Sequence, residues 1–267
     1  MKSYKGKNVF ITGGSEGIGR AVASLLSQRG ANVFIFSRSK EKLKTAAAAC
    51  GCTAVQLDVT DFEKTKRQYK SLAAKHGGID ILINAAGFSH PDHFEKIPME
   101  KFRAMMEVNY FGVVNSVMAA LPFMKEKGGQ IVNVSSMSGF LPVFGYSGYT
   151  GSKFAVLGFS EVLRSELKQY NIGVSVLCPP DTDTPGFEKE NATKPADTVE
   201  ISKGAKLLTP EQVAAALEKE MRKNRTIIIP GFEGKLAYRV RRLFPGLLAG
   251  MFDSAVRKVR KRQQQGS

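Results

Sequence analysis

The chain is written as short apolar runs separated by longer stretches whose apolar residues recur every three to four positions. The first run, Asn8-Val9-Phe10-Ile11-Thr12, leads into Gly13-Gly14-Ser15-Glu16-Gly17-Ile18-Gly19, after which Ala21 to Leu26 keep helical spacing. Apolar runs of this length without alternation read as strands covered on both faces. Six more follow, at residues 32–36, 53–57, 80–83, 130–136, 173–177 and 226–229. Helices are predicted between them, at 61–76, 99–124 and 149–170, and from Thr209-Pro210-Glu211, which supplies an N-cap, a first-turn proline and an acid. From Cys178 to about residue 206 the pattern loosens into polar, irregular sequence. Lying beyond a strand's C-terminal end, that stretch is expected to cover a site as a lid.

Strands alternating with helices at this spacing predict an α/β fold, a Rossmann-type doubly wound parallel sheet of about seven strands with helices on both faces. The glycine turn between the first strand and its helix has the form of a dinucleotide-binding unit. Gly13 would allow the tight turn, Gly17 the approach of a pyrophosphate, and Gly19 close packing of helix on strand. The helix then presents free N–H groups to the phosphates. After the second strand, where an NAD site wants a carboxylate, stand Ser37 and Arg38, with Lys42 one turn on. These suit a ribose 2′-phosphate and point to NADP(H), the alternative being a solvated basic patch. Asp58, closing the third strand, could accept from the adenine amino group or cap the next helix. Asn84-Ala85-Ala86-Gly87 ends the fourth strand in small residues against which a cofactor can lie.

Composition narrows the class. The 267 residues are 43% hydrophobic and 24% charged, which fits one soluble domain, and no run approaches the twenty apolar residues of a membrane span. The N-terminus runs into the first strand without a signal-peptide pattern. Three cysteines, Cys50, Cys52 and Cys178, make neither a disulfide framework nor a zinc site, so reduced thiols and a cytoplasmic location are expected. His90-Pro91-Asp92-His93 lacks a third strong ligand, so no metal is expected. Net charge is +15, and the segment 235–267 holds nine Lys/Arg against the single acid Asp253. Residues 1–234 are read as the cofactor-binding domain and 235–267 as a basic amphipathic C-terminal extension. In it Leu236, Val240, Leu243, Phe244, Leu247, Leu248, Met251 and Phe252 intermix with arginines, broken at Pro245-Gly246. That pattern suits a helix lying on an anionic membrane surface, and equally one packed on the body or on another subunit. No nucleic-acid motif is present.

Tyr149-Thr150-Gly151-Ser152-Lys153 puts a phenol and an ammonium on one helix face. An ammonium beside a phenol favours the phenolate, tuning the tyrosine for proton transfer at a carbonyl. Together, the turn Thr12 to Gly19, Asn84-Ala85-Ala86-Gly87, Asn109, Ser136 and Tyr149-x-x-x-Lys153 resemble the short-chain dehydrogenase/reductase family, over about residues 6–231. Ser136 stands thirteen residues before Tyr149, that family's usual spacing. A narrower string, Pro179-Pro180-Asp181-Thr182-Asp183-Thr184-Pro185-Gly186-Phe187 with Glu190-Asn191 and Thr193-Lys194-Pro195, is similar to 3-ketodihydrosphingosine reductases. The eukaryotic members of that group carry hydrophobic membrane segments, which this sequence does not.

The resemblance implies NADPH-dependent reduction of a ketone, most simply a lipid-like one. Tyr149 would donate the proton, Lys153 would lower its pKa and bind the nicotinamide ribose, and Ser136 would hydrogen-bond the carbonyl oxygen. Asn109 would hold a water linking Lys153 to solvent. Gly13, Ser15, Glu16 (through its backbone), Gly17 and Ile18 would hold the diphosphate. Ser37, Arg38, Lys42 and Asp58 would hold the adenosine half. Asn84 and Gly87 would flank the cofactor, and Thr182 and Thr184 would bracket the carboxamide. A homo-oligomer is a family-level expectation. Other lipid carbonyls (a 3-ketoacyl thioester, a retinoid or a steroid) and a membrane-associated NADPH-binding protein without a dedicated substrate remain open at this point.

Overall fold

In the computed structural model, which describes residues 3–202 and 206–265, seven parallel strands form one sheet. They are β1 (Asn8–Thr12), β2 (Asn32–Ser37), β3 (Thr53–Gln56), β4 (Ile81–Asn84), β5 (Gly129–Val134), β6 (Ile172–Leu177) and β7 (Ile227–Ile228). Their order is β3-β2-β1-β4-β5-β6-β7, so the chain winds outward from β1 and then returns to its other side. The reversal between β1 and β4 opens a crevice at their C-terminal ends, where such sheets hold ligands.

Alternate residues of β1 show why both faces must be covered. Val9 and Ile11 pack with α1 (Gly17–Gln28), α2 (Lys40–Cys50) and, farther along that face, α9 (Pro210–Met221). Phe10 faces the other side with α3 (Phe62–His76), α5 (Gly112–Ala120) and α6 (Ser147–Glu166). There Phe10, Phe34, Phe36 and Tyr69 meet ring to ring, with Phe10 to Tyr69 centroids 5.1 Å apart, edge on. Each of these fully buried rings is worth about 1.5–3 kcal/mol relative to exposure.

The predicted helix over 99–124 is interrupted. It runs as α4 (Met99–Met106), a wider π turn at Glu107–Phe111, α5, and a short 3₁₀ turn at Leu121–Phe123 where Pro122 ends it. The π turn carries Asn109. The polar stretch after β6 is less irregular than expected. It contains α7 (Pro185–Asn191), capped by Thr184 Oγ1 on Phe187 N–H, and α8 (Ala196–Ile201). His93 Nε2 lies 3.7 Å from Asp197 Oδ2 of α8, tying the 90–93 loop to the lid, and no metal-ligand cluster occurs among the described residues.

The extension forms α10 (Phe232–Leu243) and α11 (Pro245–Gln265), and the break falls at Phe244. Gly234, Ala237 and Tyr238 of α10 pack on the body against Met137, Phe140 and Ile229. α11 packs against α10 and α8. The opposite face of α10 stays open, with Phe232, Leu236 and Leu243 exposed. Leu248, Met251 and Phe252, assigned to the same apolar face, lie outside the described side chains. No described helix is long and apolar enough to cross a membrane.

Candidate active site

α6 is fixed to the sheet by polar bonds that set where Tyr149 points. Asn84 Nδ2 donates to Asn133 Oδ1 at 2.8 Å, Asn133 Nδ2 donates to Ser160 Oγ of α6 at 2.9 Å, and all three residues are buried. Nearer the site, Lys153 Nζ donates to Val134 O at 2.9 Å, and Ser135 Oγ donates to Lys153 O at 2.9 Å. The Asn84 side chain, expected to flank the cofactor, runs into the interior toward Asn133.

Asn109 is likewise a positioning residue. Its Oδ1 accepts from Phe88 N–H at 2.9 Å, and its Nδ2 donates to Phe88 O and to Ser152 Oγ. The π turn places this amide between the β4 loop and α6. Fully buried, it holds Phe88 and Ser152 in register around Lys153.

Tyr149, Ser136 and Lys153 do come together at one end of a cavity of about 900 Å³. Ser136 lies just past β5, caps the Met137–Gly139 turn through Ser138 N–H, and hydrogen-bonds toward Tyr149. Lys153 Nζ sits 5.5 Å from the Tyr149 ring centroid. Burial lowers the Lys153 ammonium from its ordinary value to about 8. The Tyr149 phenol differs from expectation. Burial first, then the negative charge of Glu190, push it above its ordinary value; the Ser136 bond pulls it down, and Asp181 adds to the rise. The net rise leaves Tyr149 protonated near neutral pH. A protonated phenol is what a proton donor to a carbonyl needs.

The far end of the cavity begins at the glycine turn. Gly13, Ser15, Glu16, Gly17 and Ile18 all line it, and α1 starts there without a side-chain cap. A Cβ on Gly19 would overlap the Gly13 carbonyl oxygen, so only glycine lets α1 pack this close. Gly17, at φ +56°, would press a Cβ to 3.1 Å from Thr184, which shows how closely the lid crosses the turn. Thr182 and Thr184 line the cavity from that lid, and Gly87 from the β4 end. Ser37 Oγ accepts from Ser15 Oγ at 2.9 Å, joining the turn to β2. Arg38 lines the cavity and is exposed, and none of the described carboxylates pairs with it. Free helix N–H groups and an unpaired guanidinium fit a phosphate-bearing dinucleotide.

Two of the residues expected at the cofactor have protein partners. Lys42 Nζ is held 2.5 Å from Glu16 Oε2, so its charge is already met at the surface. The same pairing keeps the Glu16 carboxylate occupied, in line with a backbone contact at that position. Asp58 lines the cavity, but the helix cap falls to Asp61, whose side chain accepts from Lys64 N–H. Asp58 Oδ1 instead accepts from the Thr60 N–H and hydroxyl.

Residues 7–195 match the family described as short chain dehydrogenase. The chain belongs to the short-chain dehydrogenase/reductase family. It is thus an NAD(P)-dependent oxidoreductase. It is 41% identical over 237 residues to the 3-ketodihydrosphingosine reductase of Dictyostelium discoideum, covering 80% of this chain and 71% of that one. To the 3-dehydrosphinganine reductase of Danio rerio it is 40% identical over 226 residues, covering 80% and 68%. In structure it is similar to a short chain dehydrogenase from Burkholderia cenocepacia in complex with NADP, with TM-score 0.79 and 26% identity over 94% of this chain and 98% of that one.

Tyr146, Ser89, Asp181 and Glu190 also line the cavity and were not among the expected site residues. Tyr146 lies one turn before Tyr149, their ring centroids 6.0 Å apart, and donates its hydroxyl to Glu190 Oε1 at 2.7 Å. Tyr146 at that spacing was the available signal.

Proposed function

We propose that this protein reduces the 3-keto group of 3-ketodihydrosphingosine to a secondary alcohol with NADPH, a step of sphingolipid synthesis. The observation that carries the reading is the similarity, over 80% of the chain, to two reductases of that substrate. NADPH, when bound, supplies the hydride that adds to the carbonyl carbon. Its diphosphate would rest on the N–H groups at the start of α1, and its 2′-phosphate on Arg38. Tyr149 gives its phenolic proton to the carbonyl oxygen while Ser136 hydrogen-bonds that oxygen as negative charge grows. The Lys153 ammonium beside the ring stabilises the phenolate left behind. With one N–H on Val134 O, it keeps donors for the nicotinamide ribose.

NADPH oxidation by the purified protein tests this, with 3-ketodihydrosphingosine in detergent micelles beside a 3-ketoacyl thioester and a retinal. The sphingoid ketone is expected to give the highest kcat/KM. A preference for the thioester would overturn the substrate assignment and leave the ketone chemistry standing.

The protein works at a membrane surface. On α10, Phe232, Leu236, Val240 and Leu243 recur on one helical face, with Lys235, Arg239 and Arg242 beside it. Phe232 also lines the cavity, so lipid meeting this face would lie at the site's mouth. Each basic residue near an anionic surface is worth about 1 kcal/mol, screened by salt. In flotation assays the protein should rise with vesicles of phosphatidylglycerol and phosphatidylcholine, and less with phosphatidylcholine alone or in high salt. Arg239→Glu with Arg242→Glu should abolish the difference, and equal flotation with both vesicle types would contradict this role.

A further inference from the structure

The cavity end that holds Tyr149 is lined by carboxylates that ketone reduction does not need. Asp181 enters it directly after β6 and the two prolines 179–180, and Glu190 enters from the last turn of α7. Glu190 is held rigidly: Oε1 accepts from Tyr146 and lies 3.4 Å from Lys194 Nζ, while Oε2 accepts from Ser89 Oγ. Lys194 is itself buried, its ammonium 4.1 Å from the Phe187 ring centroid and donating to Asn191 Oδ1. Asp181 is open to the cavity, and its carboxylate has no hydrogen-bond partner among the described residues. Two carboxylates thus border Tyr149, with the Lys194 ammonium on Glu190 and the Lys153 ammonium beside the Tyr149 ring.

For the chemistry alone the two carboxylates are adverse. As hydride adds, negative charge grows on the carbonyl oxygen and then on the Tyr149 phenolate, and nearby carboxylates oppose both. A cation brought by the substrate would offset the penalty. In the proposed substrate an amine sits on the carbon next to the ketone. Its nitrogen lies about 2.5 Å from the carbonyl carbon, the separation of N and C across one Cα. Any group that recognises it must therefore border the Tyr149 and Ser136 end, where these carboxylates are.

We propose that Glu190 and Asp181 are specificity-determining residues that bind the protonated amine of a 2-amino-3-ketone and so select sphingoid ketones over amine-free lipid carbonyls. The assignment rests on the function proposed above. Glu190, fixed by three partners, is the pre-oriented acceptor, and Asp181, whose side chain has no hydrogen bond among the described residues, is the second. Burial pushes the Asp181 carboxyl up from its ordinary value, and the Lys194 charge opposes that rise.

The test compares two ketones of equal chain length in the same micelles. One is 3-ketodihydrosphingosine; the other has hydrogen in place of the amine, so it is smaller and cannot be excluded by bulk. The wild type should favour the amine in kcat/KM by at least about tenfold, the scale of one charge-assisted hydrogen bond. Asp181→Asn, which removes charge from a side chain with no described hydrogen bond, should bring the ratio toward one. Glu190→Gln should do the same. The ratio is read, not either rate alone, so a general loss of activity does not imitate the effect. Equal wild-type rates with both ketones, or a ratio unmoved in both variants, would overturn the proposal while leaving ketosphinganine reduction intact. If the wild type reduces neither ketone but reduces the thioester, the parent assignment falls and this proposal with it. The wild-type ratio needs no variant, so it decides even if Glu190→Gln fails to fold.

Discussion

Tyr149→Phe is expected to lower kcat/KM for ketone reduction by about 10²–10⁴-fold, the contribution of a positioned general acid. The substitution removes one hydroxyl. The partner that hydroxyl has is the site's own Ser136, so the ring's packing on α6 is kept and the melting temperature should change little. The pH profile distinguishes proton donation from mere packing. Burial and the carboxylates keep the Tyr149 proton in place above the ordinary phenol range, so the phenol does not titrate near neutrality. The group that does is Lys153, lowered to about 8. Below that pH it is an ammonium able to stabilise the phenolate; above it the charge is lost. Wild-type kcat/KM should therefore fall as pH rises through about 8. The residual rate of Tyr149→Phe, which forms no phenolate, should lack that limb. Initial rates from pH 6 to 10 read both. Full turnover by the variant would remove Tyr149 from the mechanism, and a wild-type profile flat through pH 9.5 would remove the role given to the ammonium.

How much of this was legible in the sequence depended on the range of the interaction concerned. The seven strands and the glycine turn were readable because each is a local pattern: Val9 to Ile11 is an unbroken apolar run, and Gly19 stands where a side chain would strike Gly13. Helix spacing put Tyr149 and Lys153 on one face, and Ser136 joined them only through the resemblance to the family. The hydrogen bonds of the Asn84 and Asn109 side chains were not readable, because a side chain's direction at a strand end or inside a π turn is set by packing, which leaves no periodic trace. Lys42 reads as a free cation until Glu16, twenty-six residues earlier, is folded against it. The helices α7 and α8 were missed although Thr184-Pro185, followed by Glu188, repeats the cap pattern that announced Thr209-Pro210-Glu211. With seven and six residues they are too short to show an apolar period. Glu190 and Asp181 gain meaning only when the fold brings them to the cavity beside Tyr149.

Arg38→Ala is expected to lower kcat/KM for NADPH by about 10–100-fold and to change that for NADH little. A guanidinium binding a phosphate through two charge-assisted hydrogen bonds is worth about 1.5–3 kcal/mol, which spans that range. The two dinucleotides differ only in the 2′-phosphate, so an effect confined to NADPH reports that contact and no other. Arg38 and Lys42 looked equivalent as cations after β2, but the fold separates them. Arg38 lines the cavity unpaired, whereas Lys42 is held by Glu16, whose carboxylate would have to be displaced before the ammonium met a phosphate. Lys42→Ala should accordingly cost NADPH less than Arg38→Ala. The reverse order would mean that the Glu16 pair opens on binding and that the lysine, not the arginine, reads the phosphate. Equal losses with NADPH and NADH in Arg38→Ala would mean that the guanidinium supports the adenosine pocket as a whole, and the preference for the phosphorylated dinucleotide would then need another source.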